Sequence, residues 1–248
     1  MVRSAIAPLS AEPTLRSEQL SQLLAGHPVE LIEERSSWLR VKAPDGYEGW
    51  VNRGYLFDAV AGDVAARFST RRISLGCIVR EPGGLTRALP LGALAADDAV
   101  VESGRALTPD ELTRRFPRDP DAIAASARSL FAGTSYEWGG ITPWGADCSG
   151  FVQTIFGLHG VALPRDARQQ IELGTPVEGG LAALQPADLI FFSERPDQRI
   201  THVAIALSSL SIVHLALGRG GYAMEQLDDA DDAYVTGLIG RVVRVGRY

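Results

Sequence analysis

Cys148 stands where its thiol could react. It closes the stretch Tyr136-Glu-Trp-Gly-Gly-Ile-Thr-Pro-Trp-Gly-Ala-Asp147, in which Gly139, Gly140, Pro143 and Gly145 interrupt regular structure. Asp147 has the character of a helix N-cap, and an apolar helical pattern follows in Phe151, Val152, Ile155, Phe156 and Leu158. Cys148 therefore falls in the first turn of a buried helix. There unpaired backbone N–H groups and the positive end of the dipole stabilise an anion. A thiol so placed is expected to titrate early and to attack as thiolate. A free cysteine is more often a small core hydrophobe. A core position needs no bent, glycine-rich approach, and this one points to a nucleophile.

A cysteine nucleophile needs a base, and the base needs a group to orient it. The chain has four histidines. His27 lies in a Gly-His-Pro loop and is expected to be solvated. His159 precedes Gly160 at the end of the Cys148 helix, where it is expected to cap carbonyls. His202 and His214 sit in apolar β-runs joined by the Ser208-Ser209 turn. Adjacent antiparallel strands would bring their rings together if register and facing agree. Any lone histidine in such a run is by default a satisfied core residue; two in one sheet, downstream of a helix-start cysteine, suggest Cys148 as nucleophile, His202 as general base and acid, and His214 as orienter. A rival arrangement makes the same three residues zinc ligands with an open fourth position. A non-catalytic binding module and an acyl transferase using the same thioester chemistry are further alternatives.

The elements that must position these residues form an α+β domain. Asp121 to Phe131 reads as an Ala-rich helix with Asp121 near its N-cap and Gly133 at its stop. The Cys148 helix follows, then a short helix opened by Leu163-Pro-Arg-Asp166 and ended by Gly174. Strands come next: Asp188 to Phe192, Thr201 to Leu207, Ser211 to Leu215 and Gly237 to Val245. Helices followed by an antiparallel sheet make 118–248 one domain.

Residues 1–60 read as all-β, apart from a short helical look over Ser17 to Leu24. Val29 to Glu33 is one strand candidate; Trp38 to Lys42 and Tyr47 to Val51 form a hairpin about Pro44-Asp45-Gly46. Residues 61–117 look like a weaker second β copy plus a linker over Leu107 to Pro120. Cys77 lies in a strand-like apolar run and reads as core. The acidic run Asp228, Asp229, Asp231, Asp232 lacks the glycine and terminal glutamate of a calcium loop and reads as a solvated loop.

The 248 residues are 46% hydrophobic and 22% charged, an ordinary globular composition, with net charge -6. That charge, with no Lys/Arg-rich run, argues against a nucleic-acid partner. Two dissimilar cysteines do not make a disulfide framework. No apolar run reaches membrane-spanning length, so no membrane partner is expected. The start, interrupted by Pro8 and Glu12, does not read as a secretory signal, and a cytoplasmic location is expected. No cofactor or metal is expected for thiol chemistry.

Tyr136 to Gly140, Asp147-Cys-Ser-Gly-Phe151, Leu163-Pro-Arg-Asp166, Asp188 to Phe192 and Thr201-His-Val-Ala-Ile205 occur in that order. In this the chain from about residue 120 resembles the NlpC-type, papain-like cysteine peptidases of bacterial cell-wall metabolism. Trp38, Val41, Asp45, Gly46, Gly49, Trp50, Val51, Tyr55 and Leu56 resemble the pattern of bacterial SH3-like domains. The implied fold is a papain-like peptidase domain preceded by two small all-β SH3-like barrels. The whole chain is similar to γ-D-glutamyl-L-diamino acid endopeptidases. The resemblance implies cleavage between D-glutamate and the diamino acid of peptidoglycan stem peptides carrying a free N-terminal L-alanine, in wall recycling. Its triad falls on Cys148, His202 and His214. It also implies that Tyr136 lies beside the nucleophile, that Asp147, Ser149 and Asp166 contact substrate, and that Glu12 and Tyr47 pair with the substrate's amine. Ala167 replaces the serine of the Arg-Asp-Ser motif, removing one hydroxyl.

Overall fold

The computed structural model describes residues 1–57 and 61–248. The chain divides into two compact units, Met1–Arg115 and Phe116–Tyr248. The division expected at residue 60 falls on residues outside the described ones.

The N-terminal unit begins with β1 (Ile6–Ser10), β2 (Gln19–Leu24), β3 (Glu30–Arg35), β4 (Trp38–Lys42) and β5 (Glu48–Asn52). They form one antiparallel sheet in the order β2-β1-β5-β4-β3. Ala7, Leu9, Leu23, Leu39, Val41 and Val51 fill its core. The helical look of Ser17 to Leu24 is corrected: Gln19–Leu24 is a strand paired to β1. Leu20, Leu23 and Leu24 have helical spacing, but ladder pairing and burial override that local pattern.

Residues 61–115 are not all-β. Helix α1 (Ala61–Ala66) opens them, and α2 (Pro109–Arg115) stands where a linker with one helical turn was expected. Between them β6 (Arg72–Ser74), β7 (Cys77–Arg80), β8 (Thr86–Leu89), β9 (Leu94–Ala95), β10 (Val100–Ser103) and β11 (Ala106–Leu107) make two three-stranded antiparallel sheets. Cys77 is buried. His27 is not in a solvated loop: its ring is part-buried, with Nε2 2.9 Å from the Gly92 carbonyl.

The C-terminal unit has α3 (Pro120–Leu130), the two-residue strands β12 (Ile141–Thr142) and β13 (Gly145–Ala146), α4 (Cys148–Leu158), α5 (Ala167–Leu173) and β14 (Thr175–Pro176). Then come β15 (Leu189–Phe192), β16 (His202–Ala206), β17 (Ser211–Ala216), β18 (Gly221–Gln226), α6 (Ala233–Ile239) and β19 (Val242–Arg247). The sheet is antiparallel, ordered β14-β19-β15-β16-β17-β18. Ile190, Phe192, Ala204, Ala206, Ile212 and Leu238 share one of its cores.

Three details differ from expectation. Asp119, not Asp121, caps α3, with Pro120 at the first helical position where its missing N–H costs nothing. Residues Gly237 to Ile239 end a helix, and the last strand starts only at Val242. His159 is the C-cap residue of α4, but its ring is buried and turns to the Pro117 carbonyl (2.6 Å) and Ser126 Oγ (2.9 Å). The acidic run is the exposed loop expected of it at Asp228, Asp229 and Asp231, and serves as a capping turn as well: Asp229 accepts from the N–H groups of Asp231 and Asp232, and Asp232 caps α6.

Candidate active site

The approach to Cys148 is folded tightly on itself. Gly139 has φ +76°, a conformation that favours glycine. A Cβ on Gly140 would strike the Gly145 carbonyl, and one on Gly150 would strike the Gly140 carbonyl. The two glycine positions thus let the β12–β13 hairpin lie against the first turn of α4.

Asp147 fixes that turn. Its Oδ1 accepts from Gly150 N at 2.8 Å and from Ser149 Oγ at 3.2 Å; its Oδ2 accepts from Gly139 N at 2.9 Å. Arg165, 2% exposed, donates to Oδ1 at 3.0 Å, to Oδ2 at 2.6 Å and to Ser149 Oγ at 2.9 Å. Both carboxylate oxygens are therefore occupied within the protein, and Asp147 and Ser149 brace the nucleophile's helix. Arg165 stands next to Asp166, the residue the sequence pointed to. Asp166 occupies the N-cap position of α5 without a side-chain capping bond and is half-buried.

Cys148 is the first residue of α4, buried at 8% exposure. The backbone N–H groups of Val203, the residue after His202, and of Ser149 are near enough to its sulfur to favour the thiolate. Burial, and next the Asp147 carboxylate, push the thiol up to about 12, against the pull of those N–H groups and Arg165. Burial and Asp147 thus act against the early titration expected of a helix-start thiol, while the Ser149 N–H acts for it. Tyr136 is half-buried and close enough for the charges of Cys148 and Asp147 to raise its phenol, although burial is the larger cause.

His202 Nε2 lies 2.9 Å from His214 Nδ1. The register Ile205↔Val213 and Ala206↔Ile212 explains why. Continued by one residue it sets His214 across from Ala204, so His202 is its diagonal neighbour on the same face. His214 is fully buried and His202 partly so. Burial lowers His202, and His214 adds to this. The shifts of Cys148 and His202 both disfavour the charged forms, thiolate and imidazolium.

The sequence reading missed Glu225. This buried carboxylate on β18 lies 3.3 Å from His214 Nε2 and is gripped by Arg219 at 2.8 and 3.0 Å. The only signal was a lone charge inside a strand of otherwise mixed character. His214 thus has both ring nitrogens engaged. Among the described residues no group of three or more His, Cys, Asp or Glu is placed to hold a metal ion. Nor is any helix among them long and apolar enough to cross a membrane.

Glu12 and Tyr47 lie in the N-terminal unit. Glu12 is exposed in the loop between β1 and β2, its N–H bonded to Ser17 Oγ at 2.8 Å. Tyr47 is half-buried against the core of the five-stranded sheet.

Residues 133–234 match the NlpC/P60 family, and residues 9–57 match the bacterial SH3 domain. The chain is 30% identical to a dipeptidyl-peptidase 6 of Lysinibacillus sphaericus, over 99% of this chain and 98% of that one. It is 31% identical to a gamma-D-glutamyl-L-lysine dipeptidyl-peptidase of Bacillus subtilis, over 78% of this chain and 71% of the relative. A crystal structure of an NlpC/P60 family protein from Bacillus cereus superposes with a TM-score of 0.78 at 19% identity, covering 100% of this chain and 98% of that one.

Proposed function

The chain belongs to the NlpC/P60 family and is a cysteine-type hydrolase, and from that premise we propose that it cleaves the γ-D-glutamyl–diamino acid bond of peptidoglycan stem peptides bearing a free N-terminal L-alanine. The observation that carries this reading is the His202–His214 pair at 2.9 Å, with the residue after His202, Val203, close enough to Cys148 for its backbone N–H to favour the thiolate. The names of its relatives in Lysinibacillus sphaericus and Bacillus subtilis support the bond class.

In this reading Cys148 Sγ attacks the γ-carbonyl carbon while its proton passes to His202 Nδ1, the nitrogen not facing His214. Transfer accompanies attack, because burial disfavours both the free thiolate and the imidazolium. The oxyanion is met by the Cys148 N–H at the opening of α4, where helix N–H groups have no intrahelical partner, and by the Tyr136 hydroxyl. Collapse breaks the C–N bond, and the imidazolium returns its proton to the departing α-amine. Water, deprotonated by His202, then cleaves the thioester. His214 holds the ring of His202 in place throughout.

A free alanyl amine means that the peptide has already left the glycan, since in the intact wall that nitrogen is acylated. A role in recycling follows from that chemistry. The resemblance offers Glu12 for the amine: an exposed carboxylate suits an ammonium and gains nothing from an amide. Asp166, half-buried at the start of α5, is the candidate contact for the backbone of the γ-glutamyl residue.

Incubation with L-Ala-γ-D-Glu-diaminopimelate should release L-Ala-D-Glu, and Cys148→Ala should abolish it. An absent dipeptide, or turnover undiminished in Cys148→Ala, defeats the proposal. Equal cleavage of the N-acetylated peptide would leave a general wall peptidase without the amine requirement.

A further inference from the structure

We propose that Glu225 is a positioning residue for the reaction: it sets which nitrogen of His214 carries the proton, and through His214 sets the tautomer of His202. The proposal rests on the reading of Cys148 and His202 as the reacting pair.

The geometry begins with register. β17 and β18 pair Ile212↔Glu225 and His214↔Ala223, so Glu225 and His214 are diagonal neighbours on one face. His214 is 0% and Glu225 5% exposed. The carboxylate is not left to find its own orientation. Arg219 donates from Nε to Oε1 and from Nη2 to Oε2, a two-pronged grip that fixes the plane of the group. Arg219 also pairs with Asp232, and its guanidinium lies 4.2 Å from the centroid of the Tyr234 ring. The groups facing Glu225 are thus His214 from β17, Arg219 from the turn after it, and Tyr234 with Asp232 from the start of α6. Glu225, Arg219 and Asp232 together carry one negative charge, so a net anion remains behind His214. Burial alone would raise the Glu225 carboxyl; hydrogen bonds from His214 and Arg219 hold it below its usual value.

A chain of donors follows. A carboxylate can only accept, so the His214 nitrogen facing it, Nε2, must carry the hydrogen. Neutral His214 then has its lone pair on Nδ1, 2.9 Å from His202 Nε2. His202 Nε2 must therefore be the donor, which leaves His202 Nδ1 bare to receive the thiol proton. Without the carboxylate the opposite chain is equally well bonded: His214 Nδ1–H donates to His202 Nε2, and His202 Nδ1 already holds a proton. That arrangement cannot accept one from Cys148. Glu225 removes this degeneracy, and it supplies the negative charge that a neutral third member lacks when His202 becomes imidazolium.

The first test needs no turnover. In Cys148→Ala protein labelled with 15N-histidine, NMR at neutral pH should show His202 and His214 both protonated at Nε2. A proton on His214 Nδ1 would overturn the proposal, whatever the activity assay says about the reaction. The second is Glu225→Gln. In a background with Cys148 intact, kcat should fall on the order of 10- to 100-fold. KM should change less than about twofold, because the residue does not touch substrate. The acid limb of kcat/KM should move to lower pH, since His202 loses a stabilising anion and protonates less readily. Glu225→Asp, which keeps the charge, should recover part of the rate. Unchanged kcat, an unmoved acid limb and unchanged tautomers in Glu225→Gln would overturn the proposal. If Glu225→Gln does not fold, the NMR result on the Cys148→Ala protein decides alone. Loss of the reading itself would show differently, as full turnover in Cys148→Ala.

Discussion

In the N-terminal unit Arg35–Glu33, Arg40–Glu48, Arg53–Glu34 and Arg80–Glu102 are ion pairs whose side chains keep more than a third of their surface in solvent. In the C-terminal unit Arg165–Asp147 is buried on both sides, at 1% and 8%, and Arg219–Glu225 on the carboxylate side, at 6%. The C-terminal unit has exposed pairs as well, such as Arg195–Asp197. Two of its buried pairs end beside the reacting residues: Asp147 caps the helix of Cys148, and Glu225 faces His214; a third, Arg247–Asp188, buried at 1% on the carboxylate side, ties β19 to the residue before β15. Exposed pairs trade Coulomb attraction against side-chain entropy and screening. Buried ones trade it against desolvation, and are weak evidence for stability; what they supply here is orientation.

The largest expected effect is at Arg165. Arg165→Met leaves the buried Asp147 carboxylate short of two donated bonds and Ser149 Oγ short of one, and breaking a buried pair from one side costs about 3–5 kcal/mol. Chemical denaturation should show that loss. Asp147→Asn added to Arg165→Met should return part of it, because no unpaired charge then remains. A double variant no more stable than Arg165→Met would contradict the account of the buried pair.

Gly150→Ala comes next and probes the same turn without touching charge. Alanine in place of glycine favours a helix by about 1 kcal/mol. Here the new methyl would strike the Gly140 backbone carbonyl, which has no side chain to swing aside. Overpacking of this kind costs about 1–3 kcal/mol, so the collision wins and the variant should be less stable. It should also lose activity more than its melting shift explains, since the displaced turn carries Cys148. A stabilised Gly150→Ala would mean that the hairpin yields.

Much of this site was legible before any coordinates. Asp147 before Cys148, with apolar residues at helical spacing after it, is a local pattern, and local patterns survive folding. The strands bearing His202 and His214 were legible for the same reason. Glu225 was not. Its role comes from the diagonal offset of β17 against β18 and from a guanidinium six residues earlier, and no spacing rule encodes either. Asp166 was named through the family resemblance, which offered no role for Arg165; only burial reveals that the arginine does the bracing. The strand at Gln19–Leu24 was misread because the leucine spacing of a helix also suits a strand packed on both faces.

A smaller effect lies in how Cys148 titrates. The thiol is raised by burial and by Asp147, so the thiolate is scarce at neutral pH and grows as pH rises. Iodoacetamide inactivation should therefore accelerate through pH 9, by roughly tenfold per unit while the thiolate remains the minor form. A rate already level from pH 5 to pH 8 would reveal a resting thiolate–imidazolium pair instead, and would mean that the helix N-terminus prevails over desolvation.

The smallest effect should be at Arg40 in the N-terminal unit. Its Nη2 is 2.9 Å from Glu48 Oε2 across the β4–β5 ladder, a normal bonding distance, with both side chains over 40% exposed. A short distance alone would rank this pair with Arg165–Asp147. Exposure ranks it far lower, because water already serves both ions and the side chains lose rotamer freedom by meeting. Arg40→Gln should therefore cost under about 1 kcal/mol, and added salt should shrink the difference further. A loss near that of Arg165→Met would break the contrast between the two units, since burial would then not be what separates a bracing ion pair from an incidental one.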